Sequence, residues 1–316
     1  MHIVFFGSPA FARFSLDRLC TFSDIEVSLV VSQPDRKRSR NHWSPTAVKE
    51  YALDKGIPTI SPESLNREEV IQRIIQEKAD FLVVIAYGQF IGKAIRQAYE
   101  NRIINIHASL LPHYRGAAPI QRALLDDSPY AGVSAMLVTK EMDAGDVLLA
   151  RPLPPKKGEE LESYEKRLAA VGADLLLQVL CSFSDLFPKR QPQVEAEASY
   201  AEKITKKDGI LNFCQPCSHL LRQIQVLHAS VGTRFQLDGE SFKVHHAGSR
   251  PFQKGEESRP AGTILGAKGE EIAISCKDGV LLIDEIQAPN RKQMKVRDFL
   301  NGQAFPEGRQ VDEPCS

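Results

Sequence analysis

Ile103-Ile104-Asn105-Ile106-His107 is a short apolar run with polar residues at two alternate positions, and Ala108-Ser109-Leu110-Leu111-Pro112-His113-Tyr114-Arg115-Gly116 follows it at once. The run reads as a buried strand, so its C-terminal end delivers an amide and an imidazole onto the same side, two residues apart. Polar groups at a strand end face a cleft. An amide donates hydrogen bonds at every working pH, while an imidazole donates, accepts or carries charge. Together they suit a carbonyl whose oxygen turns negative.

Outward from this run, the first half of the chain alternates short apolar runs with amphipathic ones. Strands are expected at 2–6, 26–31, 81–85, 103–107 and 133–138, with helices at 11–19, 46–55, 67–77 and 92–99 between them. Continuous Val, Ile and Phe mark strands hidden on both faces, so the pattern is a doubly wound, mostly parallel, Rossmann-like sheet. Ligands in such sheets bind beyond the carboxyl ends of the strands. That rule gathers Gly7-Ser8-Pro9, Ala86-Tyr87-Gly88 and 105–116 on one rim. A further amphipathic helix over 160–183 closes the domain.

The stretch 187–202 holds prolines and charges without an apolar period and reads as a linker. We therefore expect a first domain over 1–188, a linker over 189–204 and a second domain over 205–316. The second carries a helix at 217–228 and short strands at 233–237, 241–246, 262–265, 271–275 and 280–286. Turns such as Asp238-Gly239 and Asp278-Gly279 between them suggest a small β-barrel.

Composition sets the outer limits. At 316 residues the chain exceeds one typical domain, and its 42% apolar and 25% charged content argue against extended disorder. Forty basic residues balance forty acidic ones, so nucleic-acid binding would rest on local clusters and not on a global field. Six scattered cysteines lack the spacing of a disulfide framework and fit a reducing cytoplasm. No apolar run reaches membrane-spanning length, and no signal peptide precedes the first strand. Cys214 and Cys217 have metal-ligand spacing with His219 close by, but without a second pair they read as chance at a helix start, and no metal is expected. Gly7-Ser8-Pro9 lacks the further glycines of a dinucleotide fingerprint, so neither NAD nor ATP is expected.

The uninterrupted segment 105–122, joined by Asp143 in Met142-Asp143-Ala144-Gly145-Asp146, resembles the folate-dependent formyltransferases. The resemblance implies a Rossmann-like catalytic domain and an OB-like second domain, with 10-formyltetrahydrofolate as co-substrate. It implies catalytic roles for Asn105, His107 and Asp143. Chemically, Asn105 would stabilise the oxyanion, His107 could donate to the same oxygen, and Asp143 could orient the ring. Asp146 is the weaker partner. An aminoacyl amine has a usable neutral fraction near pH 7, so no strong base is required. Ser109, Leu110, Leu111 and Pro112 would by resemblance line the folate site, and Val83, Ala86, Tyr87 and Gly88 would form the opposite wall.

Two features bear on the acceptor. The loop Gln33-Pro34-Asp35-Arg36-Lys37-Arg38-Ser39-Arg40 leaves a strand toward the expected rim, so Arg36, Arg38 and Arg40 could grip phosphates. By resemblance to the members acting on transfer RNA, Arg40 falls on the arginine that contacts the acceptor stem, although Ser39 and Asn41 replace its flanking glycines. Lys203, Lys206 and Lys207 form one basic cluster in the second half, and Arg291, Lys292, Lys295 and Arg297 another. Tyr200-Ala201-Glu202-Lys203-Ile204 matches the start of the family's second domain. Leu227-His228-Ala229-Ser230-Val231-Gly232 replaces its usual Asn-Pro-Trp-Pro-like turn. Initiator methionyl-tRNA is thus the expected acceptor and a monomer the expected form; the alternative is a small amine such as an amino sugar or glycinamide ribonucleotide.

Overall fold

The computed structural model describes residues 1–38, 42–156, 158–228, 230–302 and 304–315. The chain divides into two compact units, one of Met1–Ala123 and Ser128–Glu202, the other of Leu124–Asp127 and Lys203–Ser316.

In chain order the first stretch comprises β1 (His2–Gly7), α1 (Ala10–Cys20), β2 (Glu26–Val31), β3 (Arg36–Arg38), β4 (His42–Ser44), α2 (Ala47–Asp54), β5 (Thr59–Ile60), α3 (Glu68–Gln76), β6 (Phe81–Ile85) and α4 (Lys93–Ala98). It continues with β7 (Ile103–His107), β8 (Arg115–Gly116), α5 (Pro119–Leu125), β9 (Gly132–Leu137), β10 (Val147–Pro152), α6 (Leu161–Cys181), α7 (Phe183–Leu186) and β11 (Tyr200–Ala201). Seven strands form one sheet in the order β10-β9-β7-β6-β1-β2-β5. Five are parallel, while β9 runs against β7 and β10 against β9.

The apolar runs become strands because both of their faces are covered. Ile3, Val4, Phe5 and Phe6 of β1 are fully buried, as are Leu82, Val83 and Ile85 of β6. On one face α6 packs against the sheet, where a side chain at Gly172 would press on Ile106 and Val133. On the other, Ile74 of α3 and Ile95 of α4 join Val4, Phe6, Leu82 and Tyr87 in a common core. The chain turns in opposite directions from β1, toward β2 on one side and β6 on the other, which opens a crevice at the carboxyl ends of β1 and β6.

Several elements differ from expectation. β10 reads poorly from sequence because its last three residues are exposed and it lies at the sheet edge. The expected linker carries structure of its own. Tyr200 and Ala201 pair in parallel with Arg115 and Gly116, Gln191 bridges to Val147, and residues up to Glu202 belong to the first unit. These are backbone pairings over a long sequence separation, invisible to local periodicity. Within the basic loop, Arg36 and Arg38 lie on β3, which pairs with β4; Arg40, with Ser39 and Asn41, lies outside the described residues.

The second unit contains α8 (Cys217–Leu227), β12 (Thr233–Leu237), β13 (Glu240–Arg250), β14 (Ile264–Lys268), β15 (Glu271–Ser275), β16 (Val280–Gln287), β17 (Met294–Lys295) and α9 (Val296–Leu300). Its antiparallel sheet runs β12-β13-β16-β15-β14, with β17 against β16. Asp238 and Gly239, both at positive φ, make the tight turn joining β12 to β13. The register of β13 on β16 shifts twice near His246, bending this long strand as a small barrel requires. The C-terminal segment then bridges both ends of the sheet, Asp312 to Gln236 of β12 and Gln310 to Thr263 beside β14. Cys214 and Cys315 form a disulfide across a separation of 101 residues. Sequence spacing gave no sign of it, because only closure by the C-terminal segment brings the two together. Cys217 is the first residue of α8, and among the described residues no cluster of His, Cys, Asp or Glu is arranged to hold a metal.

Phe242 centres this barrel, with its ring 5.6 Å from Phe235, 5.5 Å from Phe305 and 6.5 Å from Phe299. Replacing Phe242 with Ala is expected to cost about 3–5 kcal/mol, since the surrounding rings cannot collapse into the space. A denaturant titration that follows the second unit should show the earlier unfolding; a loss below ~1 kcal/mol would mean that the ring cluster does not hold the barrel.

Candidate active site

β7 sits between β6 and β9, with Asn105 opposite Val84 on one side and Met136 on the other. All three line a cavity of about 720 Å³ contained in the first unit. Two residues on, His107 lines the same cavity and is buried. The period of two along a strand puts amide and imidazole on one side, as their spacing requires.

The imidazole is held from two directions. Its Nε2 lies 2.8 Å from the carbonyl oxygen of Tyr114, so this nitrogen carries the hydrogen and donates. Its Nδ1 faces Oδ2 of Asp143 at 3.7 Å. With Nε2 already protonated, a proton on Nδ1 makes the ring cationic next to the carboxylate. The same Oδ2 accepts a hydrogen bond of 2.9 Å from the backbone N–H of Gly116. Asp146 does not share this role; it pairs with Arg190 at 2.9 Å.

Asp143 lies in the loop joining β9 to β10, at a φ of 51°. A non-glycine residue in this left-handed region costs on the order of 1–3 kcal/mol and persists only where neighbours impose it. Two neighbours do so. A Cβ at Gly145 would overlap the carbonyl oxygen of Leu137, so only glycine lets the loop close against β9. From the expected linker, the Gln193 side-chain amide donates to the carbonyl oxygens of Asp143 at 2.8 Å and Gly145 at 2.7 Å. Gln193 is in turn oriented by Arg115, whose Nε donates to its Oε1 at 3.0 Å. The Arg115 guanidinium is buried and reaches Glu195 at 2.8 Å, holding that carboxyl below the usual carboxylate range. Gln193 carries no signal in the sequence. Arg115 lies within the telling segment, but its partners do not.

The remaining walls differ in character. Ala86, Tyr87, Gly88, Phe90, Ile91, Val138 and Met142 make one side apolar, and Ala86 and Gly88 turn there at positive φ. Phe90 is 67% exposed and Met142 51%, an exposed apolar pair at the cavity edge of the kind that marks binding surfaces. The other side comes from Pro9, Ala10 and Phe11 around the start of α1, Gln121 of α5 and Glu165 of α6. Among the described residues lining the cavity, the ionisable ones are His107, Glu141, Asp143, Glu165 and Tyr87, and none is Lys or Arg. The Tyr87 hydroxyl is buried and has no hydrogen-bond partner among the described residues, and burial pushes its phenol up.

The expected binding residues divide. Ala86, Tyr87 and Gly88 line the cavity, but Val83 is fully buried in the sheet and its neighbour Val84 takes that place. Ser109, Leu110, Leu111 and Pro112 are not among the lining residues. The Ser109 hydroxyl donates to the His113 carbonyl, Leu110 packs against Gly132 of β9, and the Leu111 N–H donates to Ser134. This turn, with a cis Leu111–Pro112 peptide, thus anchors the chain leading to Tyr114. In the second unit Lys203, Lys206 and Lys207 are exposed. Lys295 and Arg297 are exposed as well but pair with Glu285 and Glu270.

Comparison with known proteins gives a consistent likeness. A family model described as formyl transferase matches residues 1–180, and one described as the formyl transferase C-terminal domain matches 203–304. The chain is 39% identical over 306 residues to a methionyl-tRNA formyltransferase of Finegoldia magna, covering 97% of this chain and 98% of that protein. It is 35% identical over 312 residues to a methionyl-tRNA formyltransferase of Thiobacillus denitrificans, covering 98% and 99%. Among solved structures, the fold is similar to that of an N-formyltransferase from Helicobacter canadensis in complex with folinic acid and dTDP-3-aminofucose. There the TM-score is 0.63 at 15% identity, covering 90% of this chain and 98% of that one.

Gln193→Ala removes the two hydrogen bonds that this side chain makes to the Asp143 loop. Amide exchange at Gly116 and over 143–146 is expected to rise by about 10- to 100-fold, on the order of 1–3 kcal/mol of lost local protection. Unchanged exchange would mean that the loop is fixed by other contacts.

Proposed function

The chain belongs to the formyl transferase family, and from that membership we propose that it transfers the formyl group of 10-formyltetrahydrofolate to the free amino group of methionyl initiator tRNA, giving formylmethionyl-tRNA for translation initiation. The observation that carries this reading is the convergence of Asn105, His107 and Asp143 on one cavity in a chain whose likeness to methionyl-tRNA formyltransferases runs through both units.

The cavity suits the donor. Its volume falls in the range of small-molecule sites, and its apolar wall with the positive-φ turn at Ala86 and Gly88 fits a flat pteridine. The side chain of Asn105 donates to the formyl oxygen as that oxygen gains negative charge. His107, held by the Tyr114 carbonyl and facing Asp143, supplies a second polar group beside it. As the acceptor nitrogen bonds to the formyl carbon it loses a proton, and the departing folate nitrogen gains one. Asp143 stands where it can pass that proton through water. Ser109, Leu110, Leu111 and Pro112, which follow the lining residue Ala108 directly in the chain, contribute to the folate site.

The acceptor reading rests on charge. A small phosphorylated amine such as glycinamide ribonucleotide needs a cation beside its phosphate, and the described cavity lining offers none. A transfer RNA brings its amine into the cavity and leaves its phosphates to contacts elsewhere. For those we assign Arg36, Arg38 and Arg40 of the basic loop and Lys203, Lys206 and Lys207. In this scheme residues 1–188 form the catalytic domain and 205–316 the OB-like tRNA-binding domain. The intervening 189–204 both joins them and holds the Asp143 loop. We further propose that the protein works as a monomer in the cytoplasm.

Incubation with 10-formyltetrahydrofolate and either methionyl initiator tRNA, an amino-sugar nucleotide or glycinamide ribonucleotide is expected to formylate the tRNA alone. Formylation of a small amine without a tRNA product would overturn the proposal. In the same assay Asn105→Ala should lose turnover by about 10²–10³, the usual cost of one oxyanion donor, with folate affinity little changed. A parallel loss of folate binding would make Asn105 a pocket residue.

A further inference from the structure

Glu165 is a carboxylate that the catalytic trio leaves unused. It lies on α6, is partly buried and lines the cavity together with Gln121 and Phe11. Its Oε1 accepts a hydrogen bond of 3.4 Å from the Gln121 amide, and among the described residues it has no ion pair. Burial, and secondarily the charge of Glu162, pushes its carboxyl up. The nearest cation along α6 is engaged elsewhere, since Lys166 pairs with Glu162 at 2.7 Å. A partly buried carboxylate without a cation is costly unless a ligand supplies N–H groups to it.

Its position says which ligand. Tyr87, Ile91 and Val138 of the apolar wall belong to the core on the α3 and α4 face of the sheet. Glu165 comes from α6, which packs on the other face, where Gly172 lies against Ile106 and Val133. If the flat donor takes the apolar side, as the proposed function requires, the acceptor nitrogen approaches from the other. Resting on that reading, we propose that Glu165 receives the acceptor's amino group: its carboxylate accepts an N–H and aims the nitrogen lone pair at the formyl carbon, while Gln121 fixes the carboxylate from behind. Glu165 thus contributes to choosing an amine, and the charge-assisted bond it makes is of the strong kind.

Glu165→Gln keeps shape and the contact with Gln121 but removes the charge. KM for methionyl-tRNA is expected to rise about tenfold, while the folate dissociation constant, read by fluorescence titration, stays within twofold. Glu165→Asp, which keeps the charge but withdraws it by one methylene, should raise the same KM by a smaller factor, and it carries the test should the glutamine variant not fold. An unchanged acceptor KM in an otherwise active enzyme overturns the assignment of Glu165 alone. So does a parallel loss of folate affinity, which would make Glu165 a support of the cavity wall. A wild-type protein that formylates no amine would overturn the functional reading, and this assignment with it.

Discussion

The register of β7 is the constraint on which the site depends. Asn105 and His107 face the cavity only because Asn105 is locked opposite Val84 in a parallel neighbour and opposite Met136 in an antiparallel one. A slip by one residue would turn both polar side chains toward the other face of the sheet. The slip is opposed by the packing of Ile106 against Gly172 of α6, where an added Cβ would already stand 3.1 Å from the Ile106 side chain. The same apolar residues that make the strand therefore fix the chemistry at its end. Stability and geometry are set together.

Strand register places two groups of the trio but not the third. Asp143 comes from a loop, and loops are the least rigid parts of a fold. Here the loop is held by two devices of different kinds. Gly145 allows an approach that any side chain would block, and Gln193 spends both of its amide hydrogens on the loop carbonyls. Gln193 is itself held by the buried Arg115, one residue after the carbonyl that holds His107. Thus the segment 114–116 reaches His107, Asp143 and the residue that clamps the loop: Tyr114 binds the imidazole, Arg115 holds Gln193 and Gly116 binds the carboxylate. Substitutions there should disturb the site as a unit and not additively.

How much of this is written in the sequence depends on the range of the interaction. Strands buried on both faces announce themselves by composition, and β2, β6 and β7 begin and end where the apolar runs do. Asn105 and His107 were legible because a period of two is a local property. Asp143 entered only through family resemblance. The choice between Val83 and Val84 was not legible, because a run apolar on both faces does not say which face meets the cavity. Ser109 to Pro112 follow Ala108 of the cavity lining directly in the chain. Their residue types suit a ligand wall, and the Ser109 hydroxyl and the Leu111 N–H brace the turn itself and bond to β9. Gln193 lies fifty residues from the loop it holds, and nothing near it in the chain hints at that partner.

The distribution of charge completes the argument. A chain with equal numbers of acids and bases has no net charge to attract a polyanion, so any attraction is local. Its cavity lining goes further and, among the described residues, contains carboxylates and an imidazole but no Lys or Arg. The exposed bases, Lys203, Lys206 and Lys207 among them, lie outside that lining. Such a partition suits a substrate that is itself divided, with an amine at its tip and phosphates along its length. Carboxylates at the cavity disfavour a phosphate and favour an amine, in keeping with the acceptor proposed above.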